Sequence, residues 1–280
     1  MFGIQKMLKN STKRFIALEG VPFSGKTTLL RYLQSNYSDK FSVIPEAGEY
    51  VGGDKNFPKV PFGSYDAAKA STHFFISVEI QRCKDALALS EKQCLPVIFD
   101  RCTPFSSLLF YLLLEKKYPH YHKFKESFFL YGLEMFQKAI DEKKIFLPNA
   151  IVYLIPGNGQ TFLQRISRGA STGIFEKWDT VQFFNKSYNC LLKEYKGNFL
   201  KLKSYNKEFN CDNLARQILR YLQKTKIDFS PKKDLNQLFD GKHFLGKYRL
   251  KDEIKNYDYM YRRSKELMET SSCIKLNEAL

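Results

Sequence analysis

Residues 20–27 read GVPFSGKT, which fits the pattern G-x4-G-K-[ST] without a mismatch. The apolar run at 15–18 precedes this stretch, and residues 27–37 carry a helical pattern of leucines. A strand, a glycine-rich turn and a helix in this order let backbone N–H groups converge on phosphate oxygens, while the helix directs its positive end at them. The stretch therefore predicts a phosphate-binding loop at the start of a helix.

Two side chains of this loop have predicted roles toward a nucleoside triphosphate. Lys26 supplies a point charge to the β- and γ-phosphates, and the Thr27 hydroxyl is suited to ligate magnesium. We expect Mg²⁺ as the cofactor and ATP as a co-substrate. The residues expected to bind ATP are Gly20, Ser24, Gly25, Lys26, Thr27 and Thr28.

Short apolar runs alternate with helical patterns along the chain. Strands are predicted at 15–18, 41–44, 95–99, 150–155 and 199–202, and helices at 27–37, 64–92, 106–116, 124–142, 160–167, 180–195 and 210–223. Residues 48–63 predict a loop. This alternation indicates a parallel sheet covered on both faces. We therefore expect an α/β chain with the three-layer P-loop NTPase fold and a central five-stranded parallel sheet.

The predicted domain covers residues 13–224, and residues 225–280 form a charged C-terminal extension with one helical pattern near 250–268. The formal net charge is +16 over 280 residues, spread along the whole chain. Such a charge attracts small phosphorylated ligands and is compatible with nucleic-acid binding without requiring it.

The longest apolar run, at 108–114, is too short to span a membrane. The six cysteines form no CxxC pair, which favours reduced thiols and a cytoplasmic location. Residues 1–14 are basic and contain no acid, and this leaves organellar targeting open.

Beyond the loop, residues 13–223 resemble the nucleoside and nucleoside-monophosphate kinases, and thymidylate kinase most closely. The features that carry the resemblance are FIALEG at 15–20, PEAG at 45–48, Arg82 on the long helix, Asp100-Arg101 with Ser106-Ser107, and RISRG at 165–169 followed by Phe175-Glu176.

The resemblance implies ATP-dependent phosphoryl transfer to a nucleoside monophosphate, converting dTMP and ATP to dTDP and ADP. It implies a lid near 160–178 and a homodimer. The expected catalytic residues are Lys26, Asp100, Arg165 and Arg168; the acceptor contacts are Glu46, Arg82, Arg101 and Phe75; and the magnesium ligands are Thr27 and Asp100.

The residues themselves support several of these roles. Asp100 ends a buried strand at the edge where ligands bind in open parallel sheets, where it would hold magnesium or anchor Arg101. Arg165 and Arg168 are three apart, so they share a helix face. The loop interior contains no basic residue, which makes the lid the natural source of catalytic arginine.

The departures from the family concern the acceptor. Pro22 stands where thymidylate kinases keep an acid, and Cys102 stands where they keep a tyrosine. Two alternatives therefore stay open. The first is a deoxynucleoside kinase, for which Glu46 is available as the base. The second is a non-catalytic P-loop protein that docks on nucleic acid or a partner.

Overall fold

A computed structural model describes residues 14–22, 24–53, 56–57, 65–108, 125–155, 178–204 and 210–224. The chain divides into two units, Met1–Asp240 and Gly241–Leu280, and every described residue lies in the first. The lid, the helical pattern at 160–167 and the C-terminal extension fall outside the described residues, so their predicted boundaries stay predictions.

The elements alternate as the sequence predicts. The described strands are β1 (Phe15–Gly20), β2 (Ser42–Ile44), β3 (Val97–Asp100), β4 (Ala150–Ile155) and β5 (Asn198–Lys203). The described helices are α1 (Lys26–Asn36), α2 (Ala47–Tyr50), α3 (Tyr65–Gln93), α4 (helical over 103–108), α5 (Lys125–Asp141), α6 (Trp178–Glu194) and α7 (Cys211–Lys224).

The five strands form one parallel sheet in the order β2-β3-β1-β4-β5. β1 lies in the middle, where Phe15 pairs with Val97 of β3 and Ile16 pairs with Ala150 of β4. All six residues of β1 are buried, as expected of a central strand covered on both faces. The predicted five-stranded parallel sheet is confirmed.

The pleat divides the core between the two faces of the sheet, because successive side chains of a strand point in opposite directions. Ile16, Leu18 and Ile98 pack on one face against apolar residues of α1 and α7. Phe15 and Phe99 pack on the other face against Ala86 of α3. Both faces are therefore covered by helices, which gives the expected three layers.

Two local predictions need correction. The predicted loop at 48–63 begins with the short helix α2, which is tied to α3 by a 2.9 Å hydrogen bond from Tyr50 Oη to Asp85. The helix predicted from Ser106 starts at Thr103, whose hydroxyl donates to Glu79 of α3. In both cases a side-chain contact with α3 fixes a short turn that hydrophobic periodicity does not reveal.

No described helix is both long and apolar enough to cross a membrane. Cys83, Cys94, Cys102, Cys190 and Cys211 are all free thiols.

Candidate active site

The predicted phosphate-binding loop joins β1 to α1 and needs glycine at two places. Gly25 caps α1 with a φ of 93° and a ψ of 13°, a left-handed conformation that side chains disfavour. Gly20 has a φ of 150°, and a Cβ there would lie 2.7 Å from the carbonyl oxygen of Leu154. The backbone N–H of Ser24 donates to the Val21 carbonyl at 3.2 Å and closes the turn. The loop thus follows a strand and opens a helix, as the sequence predicts.

Lys26 lies inside the loop, with 5% of the residue exposed. Its Nζ donates to the carbonyl oxygens of Gly20 at 3.1 Å and Val21 at 3.0 Å. Burial, reinforced by the nearby Arg101 guanidinium, lowers the pKa of Lys26 to about 8, although Asp100 opposes the shift. The ammonium is therefore held at the loop that would receive the phosphates of ATP.

Three hydroxyls that the sequence predicts to contact ATP or magnesium lie at this loop, and their contacts stay predictions. Thr27 and Thr28 are exposed at the first turn of α1. Ser24 Oγ is buried and has no hydrogen-bond partner among the described residues. A buried hydroxyl without a partner is costly, so a ligand that pairs with it would gain affinity.

Asp100 ends β3 beside the loop and is 2% exposed. Burial raises the pKa of its carboxyl group, while Lys26 opposes the shift. Within the described part of the chain, Asp100 Oδ1 has no hydrogen-bond partner. A carboxyl oxygen without a hydrogen-bond partner suits Mg²⁺, which prefers oxygen ligands and keeps bonds to water and substrate phosphates.

Arg101 is paired with Glu46 by a 2.7 Å hydrogen bond from Nε to Oε1. Its Nη1 donates to the Gly20 carbonyl at 3.0 Å. Glu46 and the Gly20 carbonyl therefore hold Arg101 by hydrogen bonds, and both roles considered for Asp100 stay predictions. The Glu46 side chain remains 42% exposed and the Arg101 side chain 17% exposed.

The electrostatic balance keeps Glu46 ionised. Burial by itself would raise the pKa of Glu46, but the guanidinium of Arg101 and the ammonium of Lys26 outweigh it and lower the pKa. Glu46 is the residue before α2, at the end of β2. The strand order places β2 beside β3, which brings Glu46 and Arg101 together although they lie 55 positions apart in sequence.

Arg82 is completely buried on α3. Its Nε donates to the Pro45 carbonyl, its Nη1 to Glu79 and Thr103, and its Nη2 to the carbonyls of Asp100 and Arg101. All five N–H donors of the guanidinium are thus engaged by protein groups. The sequence placed Arg82 at the acceptor, whereas here it joins α3 to the ends of β2 and β3.

Phe75 lies on α3 and is partly buried. Its ring packs edge-on against Phe57, with the centroids 5.2 Å apart, and also against Phe74. Its predicted contact with the acceptor base stays a prediction. Arg165 and Arg168 lie outside the described residues, and their role in a lid also stays a prediction.

Sequence reasoning quoted Glu19 as part of a motif but did not include it among the site residues. Glu19 is fully buried at the end of β1. Its carboxylate accepts the backbone N–H of Cys102 at 2.6 Å and the hydroxyl of Ser106 at 3.2 Å. An acid within an otherwise apolar strand was the signal that could have identified it, because buried carboxylates need partners.

Glu79 and Thr103 were also missed. Glu79 lies three residues before Arg82, a spacing that places both on one helix face. Thr103 had no signal in the sequence, because it contacts α3 only after the chain has folded.

No group of three or more His, Cys, Asp or Glu side chains in the described ranges is arranged to hold a metal ion.

The chain matches no protein-family model and no curated protein sequence. Among solved structures, it is similar to a deoxyadenosine kinase from M. mycoides, described with the products dCMP and a flexible dCDP bound. The TM-score is 0.51 at 16% sequence identity, and the match covers 75% of this chain and 100% of the other. At this identity the likeness concerns the fold alone, a five-stranded parallel sheet with helices on both faces.

Proposed function

We propose that this protein transfers the terminal phosphoryl group of ATP to a hydroxyl group of a deoxynucleoside. The observation that carries the proposal is the ionised carboxylate of Glu46, paired with Arg101 at the strand ends beside the phosphate-binding loop. A nucleoside hydroxyl must lose a proton during transfer, whereas a phosphate acceptor is already anionic. A deprotonated, partly exposed carboxylate suits the first case as a general base.

The space beside Glu46 supports the same acceptor. A hollow of about 480 Å³ is lined by Glu46, Gly48, Glu49, Gly52 and Gly53. Its described lining contains two carboxylates and no lysine or arginine. A neutral, hydroxyl-bearing nucleoside fits such a lining better than a monophosphate does, since like charges repel in a partly buried site.

On the donor side, the glycine loop and Lys26 would hold the phosphates of ATP. Magnesium, held by Thr27 and Asp100 directly or through water, would neutralise charge on the phosphates. Arg101 would keep the Glu46 carboxylate oriented and ionised. Phosphoryl transfer depends mainly on such positioning and charge compensation. The deoxyadenosine kinase among the similar structures supports an acceptor of this class.

The second candidate is a thymidylate-kinase-like enzyme that phosphorylates a nucleoside monophosphate such as dTMP. The order of the loop, the Asp100-Arg101 pair and the lid arginines 165 and 168 favours it. A guanidinium matches phosphate geometry bidentately, so Arg101 would bind the acceptor phosphate in this case.

The homodimer that the resemblance implies stays a prediction, which light scattering of the purified protein tests.

The deciding experiment measures ADP release with magnesium and ATP across the common deoxynucleosides and their monophosphates. We expect turnover with at least one deoxynucleoside and none with the monophosphates. Turnover with monophosphates alone would establish the second candidate. Tight ATP binding with no turnover on either set, together with salt-sensitive binding of DNA or RNA, would favour a non-catalytic role.

Variants of Glu46 sharpen the test. Glu46→Gln removes the base while keeping the side-chain shape, so kcat for a nucleoside should fall about 100- to 10,000-fold with ATP affinity retained. Glu49→Gln changes another carboxylate of the same hollow and serves as the matched control. Equal losses in the two variants would contradict the assignment of Glu46 as the base.

A further inference from the structure

Three buried residues outside the proposed catalytic set hold the strand ends that carry Glu46 and Arg101. Glu79 and Arg82 lie on α3 and form an ion pair with an N–O distance of 2.5 Å. Thr103, at the start of α4, donates to Glu79 Oε2 at 2.6 Å and accepts from Arg82 Nη1 at 2.9 Å. The side chains of Glu79 and Arg82 are 3% and 0% exposed, and Thr103 is 5% exposed.

The guanidinium of Arg82 joins the two strand ends directly. Its Nε binds the carbonyl of Pro45, the residue before Glu46, at 3.0 Å. Its Nη2 binds the carbonyls of Asp100 at 2.7 Å and of Arg101 at 3.1 Å. One planar group therefore binds the backbone beside Glu46 and the two peptide groups that flank Arg101.

These contacts matter because the backbone conformation of Arg101 is unusual. Its φ of 67° lies in the left-handed region, which residues other than glycine seldom adopt. The surrounding structure must hold a residue in that conformation. The two carbonyl contacts of Arg82 do so from one side, and the N–H of Arg101 donates to the Leu18 carbonyl at 3.1 Å from the other.

We infer that Glu79, Arg82 and Thr103 form a positioning cluster that sets the Glu46 carboxylate against the Arg101 guanidinium, and that Arg82 does not contact the acceptor. This inference rests on the proposed function for its catalytic consequence. Arg82 has no N–H left for a substrate, because all five have protein partners. Glu79 fixes the plane of the guanidinium, and Thr103 fixes Glu79.

Thr103 offers the mildest test, because Thr103→Val keeps the shape and removes the hydroxyl, while Thr103→Ser keeps the hydroxyl. We expect Thr103→Val to lower kcat about tenfold with the KM for the nucleoside nearly unchanged, because the positioning cluster loses a buried hydrogen bond. Thr103→Ser should retain wild-type kcat within about twofold. A loss of the same size in both variants would contradict the role of the hydroxyl.

Arg82→Lys separates positioning from direct contact. A lysine keeps the charge but lacks the fork that binds two carbonyls at once. We expect a larger fall in kcat than in Thr103→Val, again without a matching rise in KM. A raised KM for the acceptor with unchanged kcat would show that Arg82 binds the acceptor and would overturn the inference.

Hydrogen exchange of the protein without substrate tests the cluster independently of activity. Thr103→Val should speed amide exchange in the segment 100–103 and leave β1 unchanged. If Thr103→Val exchanges faster but the wild-type protein phosphorylates no nucleoside, the proposed function is wrong and the positioning cluster is supported. If the exchange rate of Thr103→Val equals that of the wild type, the positioning cluster is contradicted, whatever the activity.

Discussion

Glu19 Oε1 accepts the backbone N–H of Cys102 at 2.6 Å, which joins the end of β1 to the turn that carries Arg101. Glu19 belongs to the strand that enters the phosphate-binding loop, and Cys102 lies between β3 and α4. The bond therefore connects the proposed donor side of the site to the proposed acceptor side. Because the carboxylate is fully buried, its partners matter for stability as well as for geometry.

Removing the Glu19 carboxylate should destabilise the fold. Glu19→Ala leaves the Cys102 N–H buried without its partner, at a cost of about 1–3 kcal/mol in the free energy of unfolding. Glu19→Gln keeps an acceptor oxygen and should cost less than half as much. Urea unfolding of the three proteins measures both values. Equal losses in the two variants would show that the charge matters and the hydrogen bond does not.

Replacing Lys26 should weaken ATP binding. Lys26→Met removes the only lysine of the loop, and losing a charged contact to phosphate corresponds to about 10- to 100-fold in affinity. Titration calorimetry with magnesium and ATP measures the change. Lys193→Met, at an exposed position of α6, is the control and should bind as the wild type does. Unchanged affinity in Lys26→Met would contradict the placement of the phosphates on this loop.

Gly20→Ala should destabilise the protein and distort the loop. The added Cβ would lie 2.7 Å from the Leu154 carbonyl oxygen, which belongs to β4 and moves only with the sheet. We expect a loss of about 1–3 kcal/mol. Gly52→Ala is the comparison, because Gly52 also has a positive φ, of 76°, but its Cβ would meet a side-chain atom, Asn56 Nδ2, at 3.3 Å. In thermal unfolding, Gly20→Ala should have a lower melting temperature than Gly52→Ala. The reverse order would contradict the predicted clash with the Leu154 carbonyl.

The contact between α1 and α7 predicts a pH-dependent stability. The Asp212 carboxylate accepts from Tyr37 Oη at 2.8 Å and pairs with Arg216 at 2.7 Å. The Tyr37 hydroxyl, with Arg216 as a further contributor, lowers the pKa of Asp212. A lowered folded-state pKa stabilises the protein above the unfolded value of about 3.9, and the stabilisation is lost as the pH falls through the folded pKa.

Asp212→Asn removes this titration. The wild type should therefore melt at a higher temperature than Asp212→Asn at pH 7, and the difference should shrink to near zero as the pH falls below about 4. Differential scanning calorimetry across this range tests the expectation. A difference in melting temperature that stays constant down to pH 3 would show that the carboxylate charge makes no contribution.

Much of the fold could be predicted because its signals are local. The buried strand at 150–155 is predicted with the bounds that the structure has, and the long helix predicted at 64–92 spans Tyr65–Gln93. Helix α2 could not be predicted, because its four residues are too few to show a period and its anchor is Asp85, which lies 35 positions from Tyr50.

The sequence by itself determined the strand, glycine turn and helix at residues 15–36 and the parallel, helix-covered sheet, because these signals follow one another in the chain. The tertiary structure decided which charged groups meet. Arg101 pairs with Glu46 because β2 lies beside β3. Arg82 binds carbonyls at the ends of both strands because α3 packs against them. Spacing along the chain does not encode such pairings. They arise when parallel strands bring distant strand ends to one edge of the sheet, where burial favours the pairing of opposite charges.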